Sequence, residues 1–554
     1  MKYFNILFKV SKLFCIVFLV TACHDSSKHQ TTTTAKTYSV EDSKTSQNTI
    51  RQKRQVFANR AVPSQKTLSL PVSPKDNLQG SMTEFNAEEY ADVAENTFLE
   101  TLKNPLSTFS IDVDAASYSN MRRFLNIHQF PPKNSVRIEE FINYFNYDYP
   151  QPTGEHPFSI TTEIDKCPWN GDNMVLHVGL QGKKMDLQEL PPNNLVFLLD
   201  VSGSMELPDK LPLLKKSIRL LVKEMRSNDR VAIVVYAGAA GLVLPSTSFD
   251  EKDKILSAIE RLKAGGSTAG GAGIELAYKE AEKHFIKNGN NRIIMASDGD
   301  FNVGPSSQTA LAEMIEEKRK SGIFLTVLGF GTGNYKDSQM EQLADKGNGN
   351  YAYIDNILEA KKVLVNEIGA TLFTIAKDVK LQIEFNPAKV KSYRLIGYEN
   401  RMLRTEDFND DTKDAGELGA GHSVTALYEI VPADSNEPTA SVDALKYQKT
   451  DIKPSALETD EWLTVKFRYK APDATTSRLI VHPVKESSEG IVSNNLPFSA
   501  AVASFGMILR DSKNKGESSY ELVKRLANRA KGKDKSGYRA EFIRLVEQVE
   551  VLDM

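Results

Sequence analysis

The middle of the chain alternates between short runs of consecutive apolar residues and segments in which apolar residues recur every three or four positions. An unbroken apolar run between turn residues is typical of a strand buried on both faces, and the longer spacing is typical of an amphipathic helix. Their alternation predicts an α/β domain with a doubly wound, mainly parallel sheet at about residues 190–375. The predicted strands lie at 195–200, 230–236, 242–244 (at an edge), 292–296, 324–329 and 351–354, and the predicted helices lie at 210–225, 251–262, 273–285, 309–320, 338–346 and from about 357 onward.

On both sides of this domain the pattern changes to alternation of apolar and polar residues. Segments 379–385 and 463–469 follow it after the domain, and segment 174–180 follows it before the domain. One apolar and one polar face are typical of an antiparallel sheet that is packed on one side. We expect strands within 158–183 to pair with strands within 378–484, so that the α/β domain is inserted into a β-sandwich-like region.

Helical spacing returns near both ends of the folded part. Residues 84–98 show it, and residues 108–125 predict a short strand followed by a helix that Asp114 caps. Residues 136–150, dense in aromatic side chains, predict a second helix. Residues 490–554 carry two apolar stripes at helical spacing and predict a helical C-terminal segment.

The first 23 residues have the layout of a secretory signal peptide. Three lysines precede an apolar run at 13–20, which is too short to span a bilayer, and small residues lead from it to Cys23. The sequence VTAC that ends at Cys23 resembles a bacterial lipobox, which implies cleavage before Cys23, lipid attachment to its thiol and anchoring in a membrane. The residue after Cys23 is His24 and not Asp. In enteric bacteria, the absence of Asp at this position implies sorting to the outer membrane of the cell envelope.

A chain of 554 residues is too long for a single core, so several domains are expected. Residues 24–83 are rich in Ser, Thr, Gln, Lys and Pro, which predicts a disordered tether. The predicted parts are 1–23 (signal peptide with lipobox), 24–83 (tether), 84–189 (the region before the α/β domain), 190–375 (the α/β domain), 376–489 (β-rich domain) and 490–554 (helical C-terminal region).

The net charge argues against nucleic-acid binding, and the cysteine content argues against disulfides and cysteine-based metal sites. A net charge of -3 provides no electrostatic basis for binding nucleic acid. The chain has three cysteines, Cys15, Cys23 and Cys167, and only Cys167 would stay free after cleavage and lipidation. An intrachain disulfide and a CxxC metal cluster are therefore not expected.

Candidate chemistry is concentrated where the first predicted strand of the α/β domain ends. Asp200, Ser202 and Ser204 follow the apolar run at two-residue steps, so one carboxylate and two hydroxyls point the same way in extended chain. A glycine-rich loop farther along offers Thr268, and another predicted buried strand ends at Asp298. Oxygen ligands suit a hard cation such as Mg²⁺. A turn in which these side chains only cap a helix is the alternative interpretation.

This arrangement resembles the von Willebrand factor type A domain and its metal-ion-dependent adhesion site. The resemblance implies a Rossmann-like fold and a bound Mg²⁺ or Mn²⁺ ion. It also implies a protein partner whose Asp or Glu carboxylate fills the open position on the metal. The ligands that it implies in this chain are Asp200, Ser202, Ser204, Thr268 and Asp298.

Together with the segment Cys167-Pro168-Trp169-Asn170, these features resemble the YfbK-like family of bacterial lipoproteins from about residue 85 to the C-terminus. The expected function is that of a membrane-anchored binding protein and not of an enzyme. Two alternatives stay open: a metal-dependent hydrolase, since a bound cation can activate water, and a structural envelope assembly factor. Ser202 and Ser204 lie in no GxSxG motif, and no histidine falls in a recognisable base motif.

Overall fold

The computed structural model describes residues 88–186, 188–266, 270–299, 308–437, 446–447, 451–485 and 492–554. The predicted signal peptide, Cys23 and the predicted tether lie outside the described residues. The strands are β1 (Leu99–Glu100), β2 (Leu106–Ser110), β3 (Phe158–Lys166), β4 (Met174–Gly182), β5 (Asn193–Asp200), β6 (Arg230–Tyr236), β7 (Ala240–Ser248), β8 (Asn290–Ser297), β9 (Ile323–Phe330), β10 (Tyr351–Ile354), β11 (Thr374–Phe385), β12 (Val390–Ile396), β13 (Gly416–Gly419), β14 (Ser423–Pro432), β15 (Glu461–Lys470) and β16 (Arg478–Lys485). The α-helices are α1 (Ala116–Asn126), α2 (Ile138–Asn143), α3 (Leu211–Glu224), α4 (Lys252–Glu260), α5 (Gly270–Lys283), α6 (Gln308–Arg319), α7 (Asp337–Lys346), α8 (Ile357–Lys361), α9 (Ile368–Leu372), α10 (Pro454–Glu458), α11 (Asn495–Arg510), α12 (Tyr520–Arg529) and α13 (Tyr538–Leu552).

The α/β domain is built on a sheet whose strands, within the described ranges, follow the order β10-β9-β8-β5-β6-β7. Its strands are parallel except for β7, which pairs antiparallel with β6 at one edge. The central strand β5 is buried along its whole length, with Phe197 and Leu199 packing on one face and Val196 and Leu198 on the other. Helices α3 and α4 cover the first face, and α5, α6 and α7 cover the second. The predicted doubly wound fold is confirmed.

Two further sheets face each other and form a β-sandwich. Among the described strands, one sheet has the order β1-β12-β14-β4-β3, and the other has the order β13-β11-β15-β16 with β2 paired to β11. Strand β4 precedes the α/β domain, yet it pairs antiparallel with β14 beyond that domain, and Leu180 lies opposite Val424. Leu176 and Leu180 share a core with Leu381 and Phe467 of the other sheet. The predicted insertion of the α/β domain into a β-sandwich is therefore confirmed.

Helices α11, α12 and α13 confirm the predicted helical C-terminal segment. They pack with α1 and α2 around a largely aromatic core, in which the Phe145 ring centroid lies 5.0 Å from that of Phe498 and 5.6 Å from that of Phe542. Edge-to-face contacts of this kind are favourable beyond the area that they bury. Trp169 is fully buried in the same core. No helix in the described part of the chain is both long and apolar enough to cross a membrane.

The helix predicted at the start of the folded part is wrong. Residues 88–98, which we call the strap, form no helix, and Glu89 makes an isolated parallel β-bridge to Lys336. The backbone N–H of Glu89 donates to the carbonyl oxygen of Tyr335 over 3.0 Å, and the Asn96 side chain donates to the carbonyl oxygen of Gly397 over 2.8 Å. Polar groups of the strap thus form hydrogen bonds with distant segments of the chain and not within a helix. These tertiary contacts override the helical preference of the local sequence.

Two further local predictions in this region are wrong. Asp114 does not cap α1, because its Oδ1 accepts the backbone N–H of Tyr351 over 2.8 Å. The helix predicted over 136–150 is confined to α2, and the aromatic residues after it leave the helix to reach separate partners. One of them, Tyr149, places its hydroxyl 2.6 Å from Nε2 of His177 on β4.

Candidate metal centre

Two carboxylates lie side by side at the carboxyl edge of the α/β sheet. Strand β5 ends at Asp200, and its neighbour β8 ends one residue before Asp298. Because the two strands are parallel, with Leu199 opposite Ala296, their ends meet at the same edge, where this fold class binds ligands. Both aspartates are 0% exposed. The fold thus brings two of the predicted ligands together.

Ser202 and Ser204 lie on the turn that follows β5. The Asp200 Oδ1 atom accepts the backbone N–H of Ser202 over 2.9 Å, and its Oδ2 atom accepts the hydroxyl of Ser297 over 3.0 Å. The hydroxyl oxygens of Ser202 and Ser204 lie 3.0 Å apart. Ser204 is half-buried and the neighbouring Gly203 is exposed, so the converging oxygens face solvent on this side.

The turn is held by the glycine-rich loop that precedes α5. The Gly203 N–H donates to the Gly266 carbonyl over 3.0 Å, and the Gly265 N–H donates to the Val201 carbonyl over 2.8 Å. Gly266 has φ +89°, which favours glycine. Thr268, the ligand predicted on this loop, lies outside the described residues, and its role stays a prediction.

The environment of Asp200 disfavours its charge. Burial raises the pKa of Asp200 to about 6, and the negative charge of Asp298 acts in the same direction. Hydrogen bonds from Ser202 and Ser297 oppose this shift in part. A cation beside Asp200 would stabilise the charged form that burial penalises.

Lys210 is a member of the site that the sequence did not predict. Its Nζ donates to Asp298 Oδ2 and to Asn334 Oδ1, both over 2.9 Å, and the Asn334 amide donates to the same Asp298 oxygen over 3.2 Å. Lys210 is 3% exposed, and its side chain crosses Gly331, where a Cβ atom would collide with it. In the sequence Lys210 looks like an ordinary surface lysine before a helix, and Asn334 lies on a loop more than a hundred residues away.

Lys210 also determines the charge state of Asp298. Burial raises the pKa of Asp298, but the Lys210 ammonium and hydrogen bonds from Ser204, Lys210 and Asn334 outweigh burial and hold that pKa below its usual range. Asp298 is therefore charged at neutral pH. Two carboxylates and one ammonium leave one net negative charge at the site.

The donor set fits a hard divalent cation. Asp200, Ser202, Ser204 and Asp298 offer carboxylate and hydroxyl oxygens, which Mg²⁺ and Mn²⁺ prefer over nitrogen or sulfur ligands. A bound ion would be held by Asp200, Ser202 and Ser204, with Asp298 beside it. It would supply a positive charge at the exposed edge of the turn, where an anionic group from another molecule could reach it.

Three family models match the chain in consecutive segments. The model described as von Willebrand factor matches residues 84–177, and the von Willebrand factor type A domain matches residues 194–365. The model described as the C-terminal part of the uncharacterized protein YfbK matches residues 370–552. The matched segments correspond to the region before the α/β domain, the α/β domain itself, and the remainder of the chain.

Similarity to one curated protein extends over most of the chain. The uncharacterized protein YfbK of Escherichia coli (strain K12) is 45% identical over 465 residues, which are 83% of this chain and 80% of that protein. The uncharacterized protein sll0103 of Synechocystis is 28% identical over 185 residues, which are 33% of this chain and 43% of that protein. Among solved structures, the von Willebrand factor type A protein from Catenulispora acidiphila aligns with 71% of this chain and 91% of its own at 14% identity, with a TM-score of 0.38.

Proposed function

We propose that this chain, which belongs to the YfbK-like family of proteins with a von Willebrand factor type A domain, binds a protein partner through a divalent cation. The cation is Mg²⁺ or Mn²⁺, and its ligands from this chain are Asp200, Ser202, Ser204, Thr268 and Asp298. The partner contributes the carboxylate of an Asp or Glu residue to the open position on the metal.

One observation carries this proposal: three oxygen-bearing side chains converge beside a second buried carboxylate at the solvent-facing edge of the sheet. The Ser202 and Ser204 hydroxyls lie 3.0 Å apart, and Asp200 is anchored by Ser202 and Ser297 in an orientation that its own turn maintains. This preorganisation lowers the cost of assembling an ion site.

The charges of the site favour an anionic partner. With Asp200 and Asp298 charged and Lys210 protonated, a divalent cation changes the net charge of the site from minus one to plus one. A positive charge at an exposed turn attracts a carboxylate. If the site had one more acidic residue, the cation-loaded site would be neutral and would not attract it in this way. Lys210 is therefore a selectivity element, because it neutralises Asp298 and leaves the positive charge of the ion unbalanced.

The same site gives little support to a hydrolase or to a purely structural role. The hydrogen-bond partners of Asp200 include Ser202 and Ser297, and those of Asp298 include Lys210 and Asn334. Ser202 and Ser204 lie in no GxSxG motif, so the sequence offers no nucleophile motif that would favour a hydrolase. The predicted non-enzymatic function is the one that we adopt.

The proposed location of the protein is the bacterial cell envelope. A lipid on Cys23 would anchor the chain in the outer membrane, and residues 24–83 would separate the folded part from the bilayer. Replacement of Cys23 by Ser should move the protein from the membrane fraction to the soluble fraction of cells. Retention of the Cys23→Ser protein in the membrane fraction would contradict lipid anchoring.

The test of the binding function is calorimetric titration of Mg²⁺ and Mn²⁺ into the full chain in detergent. Asp200→Asn should abolish the heat of binding while circular dichroism shows an intact fold, because Asn has nearly the same shape and keeps one acceptor oxygen but lacks the charge. The control Asp172→Asn, at an exposed position remote from the site, should bind as wild type does.

A second titration tests the partner chemistry. A peptide containing Glu should bind the metal-loaded chain and not the Asp200→Asn variant, and its Gln counterpart should bind neither. Binding of the Glu peptide in the presence of EDTA would overturn the proposal. The absence of metal binding to wild type, both with and without the peptide, would overturn it as well.

A further inference from the structure

Charge is unevenly distributed along the folded part, and a strongly basic stretch lies near the C-terminus. Residues 524–539 contain seven basic residues and one acidic residue, so this segment has a charge of +6 in a chain whose net charge is -3. The segment comprises the second half of α12 and the connection from α12 to α13. We call residues 530–537, which form that connection, the basic loop. A local excess of positive charge of this size attracts anions.

The one acidic side chain of the segment is occupied by the start of α13. Asp534 Oδ2 accepts the backbone N–H of Ala540 over 2.8 Å, and Asp534 Oδ1 accepts that of Arg539 over 3.1 Å. The carboxylate thus satisfies N–H groups of the first helical turn and lies at the positive end of the helix dipole. In the sequence Asp534 stands between two lysines, but no ion pair in the described part of the chain joins it to either of them.

The lysines of the basic loop are exposed and lack a carboxylate partner. Lys531, Lys533 and Lys535 alternate with other residues along the loop, and none of them forms an ion pair within the described ranges. Arg525 and Arg529, one turn apart on α12, are exposed and also form no ion pair with a described residue. Five basic side chains therefore face solvent on this part of the surface.

Arg539 anchors the basic loop to the body of the protein. Its guanidinium donates to the carbonyl oxygen of Ala530 over 2.8 Å and to that of Asn146 over 3.0 Å, and it lies 4.1 Å from the ring centroid of Phe498. Gly537, which precedes α13, has φ +77°, a backbone conformation that favours glycine. The backbone that carries the lysines is thus held in place, which reduces the cost of ordering it when a ligand binds.

A recess of about 650 Å³ lies beside the basic loop. The three lysines and Arg539 line it, together with residues 146–148 and 493–495. Its acidic lining residues are Asp148 and Asp534, and the second of these caps α13. Basic residues therefore outnumber acidic ones in the lining by two. A recess of this volume has room for the phosphate group of a lipid headgroup.

We propose that the basic loop, together with Arg525 and Arg529, docks the folded part onto an anionic phospholipid surface. Clusters of four to eight basic side chains are typical of segments that bind anionic lipids, and each such side chain strengthens binding about fivefold. The inference rests on the lipid anchor proposed above, because an anchored chain stays within reach of a bilayer whose headgroups supply the phosphates.

Nucleic acid is the less favoured phosphate-bearing partner. Binding of single strands uses aromatic side chains on which bases stack. Segment 524–539 contains one aromatic residue, Tyr538, which packs edge-to-face on Tyr144 at 5.9 Å between ring centroids and accepts a hydrogen bond from the Asn366 side chain. The surface of this segment thus offers charge without a stacking platform.

The first test measures the accessibility of lysines on the full lipidated chain. The chain is added to vesicles of phosphatidylcholine, either pure or with about 30% phosphatidylglycerol. Labelling by an amine-reactive reagent is then read for each lysine by mass spectrometry. Lys531, Lys533 and Lys535 should react about threefold or more slowly on the phosphatidylglycerol vesicles, and high salt should reverse this, because it screens exposed charges. Reference lysines on the α/β domain, which are exposed and outside any ion pair of the described residues, should react equally on both: Lys216, Lys279 and Lys287.

The second test removes the charges in a Cys23→Ser background, which lacks the lipid. This full chain should bind phosphatidylglycerol vesicles more tightly than phosphatidylcholine vesicles in flotation. Replacing the three lysines of the basic loop by Gln should weaken binding to phosphatidylglycerol by about tenfold or more. Replacing the three reference lysines by Gln makes the same change in net charge and should leave binding unchanged. Circular dichroism should show an intact fold in both variants, because all six positions are exposed.

Several outcomes would overturn the proposal. Equal labelling on both kinds of vesicle, or equal protection of the reference lysines, would do so. Protection of the basic loop by inorganic phosphate or by a DNA duplex, but not by phosphatidylglycerol, would assign the surface to another phosphate-bearing ligand. Failure of the wild-type chain to float with pure phosphatidylcholine vesicles would contradict the lipid anchor alone, and flotation with phosphatidylglycerol would then test the basic loop directly.

Discussion

The candidate metal centre and a second group of carboxylates, which we call the junction cluster, are assembled in opposite ways. The junction cluster lies where the region before the α/β domain meets α7. Its members are Asp112, Asp114, Glu139, Glu140, Asp337, Glu341 and Glu399, with Arg137, Arg401 and Arg510. In the metal centre, Asp200 is held by Ser202 two residues away and by Ser297 on the adjoining strand. In the junction cluster, the ion pair between Arg137 and Asp337 joins residues 200 positions apart. The first site is a local turn at a strand end, and the second exists only where separate parts of the chain meet.

This difference has a functional consequence. The candidate metal centre has a net negative charge and lies on a turn with an exposed residue, Gly203, so a cation from solution could supply its counter-charge. The arginines of the junction cluster pair with carboxylates from distant segments, so these ion pairs join separate parts of the chain. Buried ion pairs of this kind add little net stability when intact but are costly to break.

The two regions nevertheless meet on one short segment. Asn334 contacts Asp298 and Lys210, and three residues later Asp337 pairs with Arg137. The strap also reaches this segment, since Glu88 accepts the backbone N–H of Gly333 over 2.9 Å. Residues 331–337 are thus the place where a change in one region can affect the other.

The largest expected effect is that of Arg137→Met. Removing this buried guanidinium leaves Glu140 and Asp337 without their cation, and we expect the free energy of unfolding to fall by about 3–5 kcal/mol in urea denaturation. The control Arg404→Met, at a side chain that is 73% exposed, should change it by less than about 0.5 kcal/mol. A small loss for Arg137→Met would mean that the junction cluster is as adaptable as the metal centre.

A smaller loss is expected for Lys210→Met, on the order of 2–3 kcal/mol without metal, because Asp298 keeps Asn334 and Ser204 as hydrogen-bond donors. Millimolar Mg²⁺ should restore part of this loss, since the cation replaces the missing ammonium charge, and it should not restore the loss in Arg137→Met. Urea denaturation with Mg²⁺ and with EDTA measures both effects. Equal rescue of the two variants would erase the distinction between the regions.

The pH range for these comparisons is bounded by a buried histidine outside both regions. His177 is 0% exposed, and burial lowers its pKa to about 3. Below about pH 6.5 the unfolded chain binds a proton at His177, whereas the folded chain does not. The contribution of His177 to the free energy of unfolding is therefore fully present above that pH and is lost as the pH falls. From pH 6.5 to 5 the loss should be about 2 kcal/mol, and His177→Gln should remove this part of the pH dependence of the unfolding free energy.

The smallest expected effect is the coupling between the two regions. Because Asn334 and Asp337 lie on the same segment, the double variant Arg137→Met/Lys210→Met should deviate from additivity by about 0.5–1 kcal/mol. The matched pair Arg404→Met/Lys210→Met should be additive within about 0.3 kcal/mol. Strict additivity in both cycles would show that residues 331–337 do not couple the metal centre to the junction cluster.

Much of the α/β domain could be predicted because its signals are local. Strand β5 is an unbroken apolar run that ends at Asp200. The hydroxyls of Ser202 and Ser204 do lie close together, but the extended, period-two geometry predicted for them is wrong, because Ser204 lies in the short 3-10 helix Gly203–Glu206. The pairing of strands within 158–183 with strands within 378–484 could be predicted as well, because alternating strands cannot bury their apolar faces alone, and the pairing of β4 with β14 confirms it. Strand β12, by contrast, was not predicted.

The sequence by itself therefore determined the fold class, the order of the layers and the position of the candidate metal centre, because hydrophobic period and strand-end geometry are properties of neighbouring residues. Only the tertiary structure determined that the strap is not helical, that Lys210 pairs with Asp298, and that the residues of the junction cluster meet. In the sequence, Glu139 and Glu341 look like ordinary solvent-facing residues of helices. Only the approach of segments hundreds of residues apart removes water from these carboxylates, and the loss of water is what makes their charge matter.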